Sequence, residues 1–153
     1  MKAGVRYLFN QEAMLNQMEE WLIPVIRGLI SELYELQDLG ITGSQFHLLN
    51  KIKKEKVTNV KRLAEELDVK PSAITVMLER LVQHGIVSRV QDENDRRSVL
   101  VTLTDEGEKV LEKAKTHSKE VLMKYAALLD EEELLVIEKV LKKLSHYQSA
   151  DKK

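Results

Sequence analysis

The spacing of apolar residues predicts a chain built mostly from helices. A long amphipathic helix is expected over roughly residues 11–36, where Pro24 either kinks the helix or marks the start of a new one. Thr42 and Gln45 stand three residues apart, as the N-cap and the third helical residue of a capping box do. A second helix is expected after them because apolar residues recur on one face: Phe46, Leu49 and Ile52.

A pair of shorter helices, separated by a three-residue turn, is predicted next. The first is expected to be capped by Thr58 and to end at Leu67, and the second to begin at Pro71 and stop at Gly85. Val69 is expected to fill the turn between them. The second helix is expected to pack inward through apolar residues at helical spacing: Ile74, Leu78, Leu81 and Val82. Together these elements predict a helix-turn-helix.

A β-hairpin is predicted directly after the helix pair. Residues 86–91 and 98–103 are strand-like runs, and the charged segment 92–97 joins them. A helix-turn-helix followed at once by a hairpin is the winged-helix arrangement, in which the hairpin is the wing. The expected fold class is therefore mostly α with a small β-hairpin wing.

Two long helices are predicted to follow the hairpin. Thr104 caps the first, which extends to about residue 129, and Asp130 with Glu133 caps the second, which extends to about residue 146. Apolar stripes on these helices and on the first helix exceed what one small winged domain covers, so a two-fold homodimer is expected. The expected division has three parts: an N-terminal dimerisation helix region in residues 1–41, a winged helix-turn-helix domain in 42–104 and C-terminal dimerisation helices in 105–153.

The solvent face of the second helix of the pair carries groups that suit the major groove of DNA. The inward positions leave five residues facing outward: Ser72, Thr75, Val76, Arg80 and Gln83. Hydroxyl groups bind phosphates or bases, Val76 fits a thymine methyl group, and Arg80 suits a guanine edge or a phosphate. The alternative is that this surface is only the polar side of an ordinary amphipathic helix.

The charged hairpin loop adds two neighbouring arginines. Arg97 on a thin loop can enter the narrow minor groove, where negative potential is concentrated. Asp95, two residues earlier, can hold that side chain, which leaves Arg96 for a backbone phosphate. The alternative is a solvated turn in which Asp95 and Arg97 form a surface pair worth little energy.

Composition and charge narrow the class of protein. The chain has 153 residues, 32% charged and 43% hydrophobic, which is typical of a globular protein. It has no cysteine, which excludes a disulfide framework, a thiolate metal site and a thiol redox switch. Residues 44–104 hold eleven Lys/Arg against eight Asp/Glu, whereas the remainder holds 13 against 17. A basic middle between acidic ends is compatible with nucleic-acid binding.

The N-terminus does not resemble a signal peptide, and the longest apolar run, residues 21–30, is too short to span a bilayer. A cytoplasmic protein with no membrane partner is therefore expected. No nucleophile elbow or glycine-rich phosphate loop appears, so no enzymatic activity is predicted.

Four histidines raise the question of a metal site. His47 and His117 show no nearby cluster of further ligands, so no metal and no cofactor is expected. Trp21, Tyr34, Phe46 and His47 are instead candidates for an apolar pocket that binds a small-molecule effector. Core packing is the alternative for each of these residues.

Two stretches of the sequence resemble the MarR family of transcription regulators: LAEELDVKPSAITVMLERLVQHGIVSRV and DENDRRSVLVTLTDEG. The wing in this family has an Asp-x-Arg core, followed by a hydrophobic strand, Leu-Thr, an acidic pair and Gly. The matching residues are Asp95, Arg97, Leu103, Thr104 and Gly107. Lys70 departs from the serine N-cap of many relatives, and the absence of cysteine excludes the branch that senses peroxide through a reactive thiol.

The resemblance implies a sequence-specific regulator of double-stranded DNA, a ligand-responsive repressor that binds a pseudo-palindromic operator as a homodimer. The alternative is a winged-helix module that binds proteins and not DNA. The resemblance also implies Arg97 as the minor-groove arginine and Asp95 as the residue that orients it. The predicted DNA-binding set is Lys70, Pro71, Ser72, Ala73, Thr75, Val76, Arg80, Asp95, Arg96 and Arg97.

Overall fold

Helices form most of the chain in the computed structural model, which describes residues 2–91 and 99–150, with the side chains of 11–91 and 99–147. A small antiparallel sheet lies among them, so the predicted fold class is confirmed. The elements are α1 (Lys2–Leu33), a 3-10 turn (Gln37–Leu39), α2 (Gly43–Glu55), β1 (Thr58–Asn59), α3 (Val60–Leu67), α4 (Pro71–Gln83), β2 (Val87–Gln91), β3 (Val99–Leu103), α5 (Asp105–Ala126) and α6 (Glu131–Ala150).

The first helix is longer at its start than its sequence predicts. Pro24 lies inside α1, so the alternative that it starts a new helix is wrong. A proline removes one backbone hydrogen bond, and the remaining turns of this 32-residue helix continue on both sides of it. The helix ends at Leu33 and not near residue 36, because Leu36 and Ile41 turn into the core and are buried there.

Hydrogen bonds at the helix starts confirm three predicted caps and correct a fourth. Thr42 and Gln45 form the predicted capping box, with backbone-to-side-chain distances of 2.9 and 3.3 Å. The cap of α3 is Asn59 and not Thr58: the Asn59 side chain accepts a bond from the Arg62 amide at 3.0 Å. The β-branched Thr58 lies in β1, where strand geometry suits it.

The sheet has the strand order β1–β3–β2, with both pairs antiparallel. The predicted hairpin is confirmed to within a residue for the described ends of β2 and β3; Ser98 lies outside the described residues. The sequence did not predict β1, which adds a third strand. Val101 in β3 faces Thr58 on one side and Arg89 on the other, so these three side chains share the face that packs on the core.

The core of the winged domain lies between α2, α3, α4, the sheet and the start of α5. Ile74, Leu78 and Leu81 are buried in it, as predicted for α4. The predictions for Val69 and Val82 are wrong, because these side chains are 41% and 37% exposed. Backbone hydrogen bonds, including Val69 N to Ala64 O at 3.1 Å, close the turn, and Leu81 is the last buried residue of α4.

The chain divides into two compact units, Met1–His117 and Ser118–Lys153, with the boundary inside α5. In the second unit, Asp130 and Glu133 form the predicted capping box through bonds of 3.0 and 2.9 Å. The helix α6 that follows extends to Ala150, beyond the predicted end near residue 146. Across the described residues, no helix is both long and apolar enough to cross a lipid bilayer.

Candidate nucleic-acid interface

Helices α3 and α4 meet at a short turn, residues 68–70, that the backbone itself closes. Asp68 adopts a left-handed conformation with φ of 54°, and its amide donates to the carbonyls of Ala64 and Glu65. The Ala64 side chain is small and buried where the helices approach each other. Because the inner side of α4 is fixed on the core, its opposite side is held rigidly toward solvent.

The outer face of α4 carries most of the predicted groove contacts. Ser72, Ala73, Val76 and Arg80 are exposed, and helical spacing places them on one side of the helix. Val76 is 54% exposed, an apolar side chain at the centre of a polar face. Thr75 is half-buried at the margin, where its hydroxyl donates to the carbonyl of Pro71 at 3.0 Å. The oxygen of that hydroxyl remains available as an acceptor.

The start of α4 is positively charged and open. Lys70 is the N-cap residue, but its side chain makes no capping hydrogen bond and is exposed. Its ammonium group therefore adds to the positive end of the helix dipole. A cavity of about 560 Å³ opens beside it and is lined by Lys61, Ala64, Glu65, Asp68, Val69, Lys70 and Pro71.

The structure describes the base of the wing. Strands β2 and β3 pair along their whole length, as far as Gln91 opposite Val99. Asp95, Arg96 and Arg97 lie in the segment 92–98, outside the described residues, so their predicted contacts with DNA stay predictions.

Arg89 is a residue of this region that the sequence analysis did not single out. It lies in β2, and its Nη2 donates to the backbone carbonyl of Thr75 in α4 at 3.3 Å. Its Nε is buried and has no hydrogen-bond acceptor among the residues that the structure describes. The signal in the sequence is the alternation of the strand, since the buried Val87 and Arg89 must face the same side.

Thr104 joins the end of α4, the start of β2 and the start of α5. Its hydroxyl donates to the Gly85 carbonyl at 2.6 Å and accepts the amide of Gly107 at 3.0 Å, which confirms the predicted cap of α5. The backbone amide of Thr104 bonds to Ile86 O at 3.2 Å. A Cβ atom on Gly107 would overlap that same carbonyl oxygen, so only glycine fits there.

Three of the four predicted pocket residues come together. Tyr34 Oη forms a short hydrogen bond with His47 Nε2, and their rings meet edge to face with centroids 5.4 Å apart. The Phe46 ring is 6.1 Å from that of His47. Gly43 lies directly against Tyr34, since a Cβ atom there would be 2.5 Å from Tyr34 Cγ. Trp21, in contrast, is 60% exposed on α1 and belongs to none of these aromatic contacts.

His47 also lines a cavity of about 180 Å³ beneath α4, together with Ser44, Leu67, Val69 and Met77. This cavity lies among α2, α3 and α4, and of the four predicted pocket residues only His47 lines it. His117 is placed elsewhere: its Nε2 lies 2.9 Å from the carbonyl of Glu32 at the end of α1. Within the described part of the chain, no three potential metal ligands converge.

Charged pairs connect helices at the surface of the winged domain. Lys53 Nζ lies 2.5 Å from a Glu108 carboxylate oxygen and links α2 to α5. Lys51 and Arg62 both contact Glu66, at 3.3 and 3.5 Å. Partial burial would raise the pKa of Glu66, but the hydrogen bonds and positive charges of these two partners outweigh it and lower the pKa below its usual value.

Comparison with known proteins gives consistent matches. The sequence profile of the MarR family matches residues 41–99. The HTH-type transcriptional repressor MdtR of Bacillus subtilis is 34% identical over 145 residues, which cover 94% of each protein. The crystal structure of YusO from B. subtilis superposes with a TM-score of 0.78 at 30% identity, over 88% of this chain and 96% of that one.

A third match is the crystal structure of a mutant of MarR from E. coli complexed with operator DNA. It has a TM-score of 0.68 and 30% identity over 86% of this chain and 95% of that one. The relatives are transcriptional regulators and not enzymes, which agrees with the absence of a predicted catalytic site.

Proposed function

This chain belongs to the MarR family of transcriptional regulators, and from that premise we propose that it binds operator DNA as a homodimer in the cytoplasm. Each winged domain reads one half-site of a pseudo-palindrome, and a small ligand releases the protein from DNA. The role is that of a repressor, the role named for MdtR.

The observation that carries this proposal is the outer face of α4. A rigid helix presents Ser72, Ala73, Val76 and Arg80 together, while Ile74 and Leu78 hold its other side on the core. An α-helix fits the major groove, and these groups can contact both base edges and a thymine methyl group. Lys70 at the helix start, with Pro71 and Thr75 beside it, is suited to the phosphate backbone.

The wing supplies the second contact. We assign Arg97 to the minor groove, Asp95 to its orientation and Arg96 to a phosphate. The paired strands β2 and β3 support this assignment, since they lead from the base of α4 directly into residues 92–98 and return from them.

The homodimer is supported by apolar side chains that each unit leaves exposed. Along α1 they include Met14, Leu15, Met18, Trp21, Leu22, Val25 and Ile26. Along α6 they include Leu134, Leu135, Val136, Ile137, Val140, Leu141 and Leu144. Patches of this extent on soluble proteins mark interfaces, and a two-fold pairing of the chain covers them.

We assign the effector site to the surroundings of Tyr34, Phe46 and His47. Trp21 of α1 contributes to this site in the homodimer. The cavity beside His47 supports this assignment, because Met77 of α4 also lines it. A ligand in that cavity contacts the helix that reads DNA. An apolar or aromatic molecule with one polar group fits its lining.

Arg80→Ala and Arg97→Ala test DNA binding. A duplex of about 30 bp, enough for two half-sites, is first selected from a random library by the parent protein. Each variant is expected to lose about 1–3 kcal/mol of binding free energy per half-site, measured by fluorescence anisotropy at fixed salt.

Lys54→Ala is the matched control, because Lys54 is an exposed cation at the end of α2 and outside the predicted interface. It is expected to bind like the parent. Failure of the parent to select any duplex would favour the protein-interaction module instead. Equal binding by all four proteins would contradict the assignment of Arg80 and Arg97 to the interface.

A further inference from the structure

Arg89 occupies a position where the alternation of β2 calls for an apolar residue. It pairs across the sheet with Val101, which is fully buried, and Val87 on the same face is buried as well. The Arg89 side chain is half-buried and runs under α4, where Nη2 reaches the carbonyl of Thr75. A charged side chain therefore lies between β2 of the wing and α4, the helix proposed to read DNA, which we call the recognition helix.

Stability does not explain an arginine at this position. None of the ion pairs in residues 2–91 and 99–150 includes Arg89, and its Nε is buried without an acceptor. A buried donor without a partner destabilises a fold, because it has lost its hydrogen bonds to water. A methionine of similar length would fill the same space without that penalty.

The hydrogen bond from the Arg89 side chain to Thr75 connects the two elements that the proposed function brings to DNA. Thr75 lies in the N-terminal half of α4, half-buried at the margin of the outer face, between the exposed Ser72 and Val76 in the sequence. A carbonyl oxygen has two lone pairs, so Thr75 can accept from Arg89 while its own helix continues. Arg89 itself lies two residues before the end of β2, where the wing loop begins.

We propose that Arg89 is a positioning residue that sets the angle between the recognition helix and the wing, so that one protomer engages both grooves together. This inference rests on the proposed DNA binding. The bond links β2 to the N-terminal half of α4, and Thr104 links Gly85, two residues past the end of α4, to the start of α5. With one link within the helix and one just beyond its end, rotation of α4 against the strand is restricted.

A double-mutant cycle tests this role with the selected duplex. Arg89→Met is expected to lower the affinity for DNA about tenfold while leaving the melting temperature unchanged or higher. In that background Arg97→Ala should cost several-fold less than it does in the parent, because the wing is already misplaced. Arg89→Lys keeps a donor and should recover part of the loss, and Lys54→Met serves as the control for removal of a positive charge.

A measurement without DNA separates this inference from the proposed function. Residual dipolar couplings of backbone amides report the angle between α4 and the β2–β3 pair. Arg89→Met is expected to change that angle, and Arg89→Lys to change it less. An unchanged angle overturns the positioning role, whether or not the parent binds DNA, whereas a parent that binds no duplex but shows the changed angle refutes only the DNA-binding proposal.

Two further outcomes also overturn the inference. The first is additive losses for Arg89→Met and Arg97→Ala, together with a salt dependence reduced by about one charge, which indicate that Arg89 contacts a phosphate directly. The second is a lower melting temperature for Arg89→Met with normal DNA affinity in the folded fraction, which indicates a purely structural role.

Discussion

The core of the winged domain and the apolar face of α6 contain the same kinds of side chain in opposite surroundings. Leu78 in α4 is fully buried within its own unit, whereas Leu141 in α6 is 60% exposed. Both belong to amphipathic helices with apolar residues at helical spacing. Periodicity therefore identifies an apolar helix face, but the surrounding elements determine whether the chain covers that face itself or needs a partner.

The largest effect is expected from charged substitutions in the exposed apolar face of α6. Leu141→Glu with Leu144→Glu places two charges in the proposed dimer interface, where they cannot be solvated. The protein is expected to become a monomer, and because the two half-sites no longer bind together, affinity for the selected duplex should fall on the order of 10²–10⁴-fold. Sedimentation and anisotropy measure the two effects.

Lys142→Glu is the control for this pair, because it also adds a glutamate to α6. It should leave the dimer and the DNA affinity close to those of the parent. A doubly substituted protein that remained dimeric would show that another surface joins the protomers.

Leu78→Ala tests the buried face of α4. Removing a fully buried leucine side chain leaves a cavity in the core, so the free energy of unfolding should fall by about 2–5 kcal/mol. Urea denaturation at one fixed protein concentration measures this change. Val76→Ala on the exposed side of the same helix should change it by less than about 0.5 kcal/mol. Equal effects of the two substitutions would contradict the assignment of the inner and outer faces of α4.

The smallest effect concerns the charged pairs at the surface of the winged domain. Lys51 and Arg62 lower the pKa of Glu66, so its carboxylate stabilises the folded state above the unfolded pKa near 4.5. This contribution is lost as the pH falls through the lower pKa of the folded state. Glu66→Gln should therefore lower stability slightly at pH 7 and have no effect at a pH below both values.

Urea denaturation of parent and variant across this pH range checks the sign. Glu65→Gln is the control, since its carboxylate lies 4.0 Å from the Lys61 ammonium at a highly exposed site. A difference between Glu66→Gln and the parent that grew as the pH fell would contradict the lowered pKa.

The helices and their caps could be predicted because their signals are local. Thr42 with Gln45 and Asp130 with Glu133 are pairs three residues apart whose bonds need nothing beyond the helix itself. Strand β1 could not be predicted in this way. It has only two residues, and its partner Val101 is 43 positions from Thr58 in the sequence. The exposure of Val69 and Val82 likewise depends on where the core ends.

The candidate interface was likewise predictable where its signals are local. Periodicity placed most of the outer face of α4 correctly, because the inward positions of the helix identify the outward ones; the exceptions are Thr75, which is half-buried, and Val82, which is exposed. Arg89 was missed because a charged residue in a strand suggests an outward position, although alternation places it on the same face as Val87 and the pairing with Val101 agrees with that. The wing residues Asp95, Arg96 and Arg97 were proposed from the sequence and depend on the DNA-binding experiments.

The bonds of Thr104 have a mechanical consequence. One hydroxyl group connects Gly85, two residues past the end of the recognition helix, to the first turn of α5, and the chain around Gly107 packs tightly against Ile86. A tilt of α5 would therefore be transmitted to the end of α4. Part of the stiffness of this joint depends on this hydroxyl group, so Thr104→Val, which keeps the shape of the side chain but removes its bonds to Gly85 and Gly107, should loosen the joint, while the backbone bond from Thr104 N to Ile86 O remains.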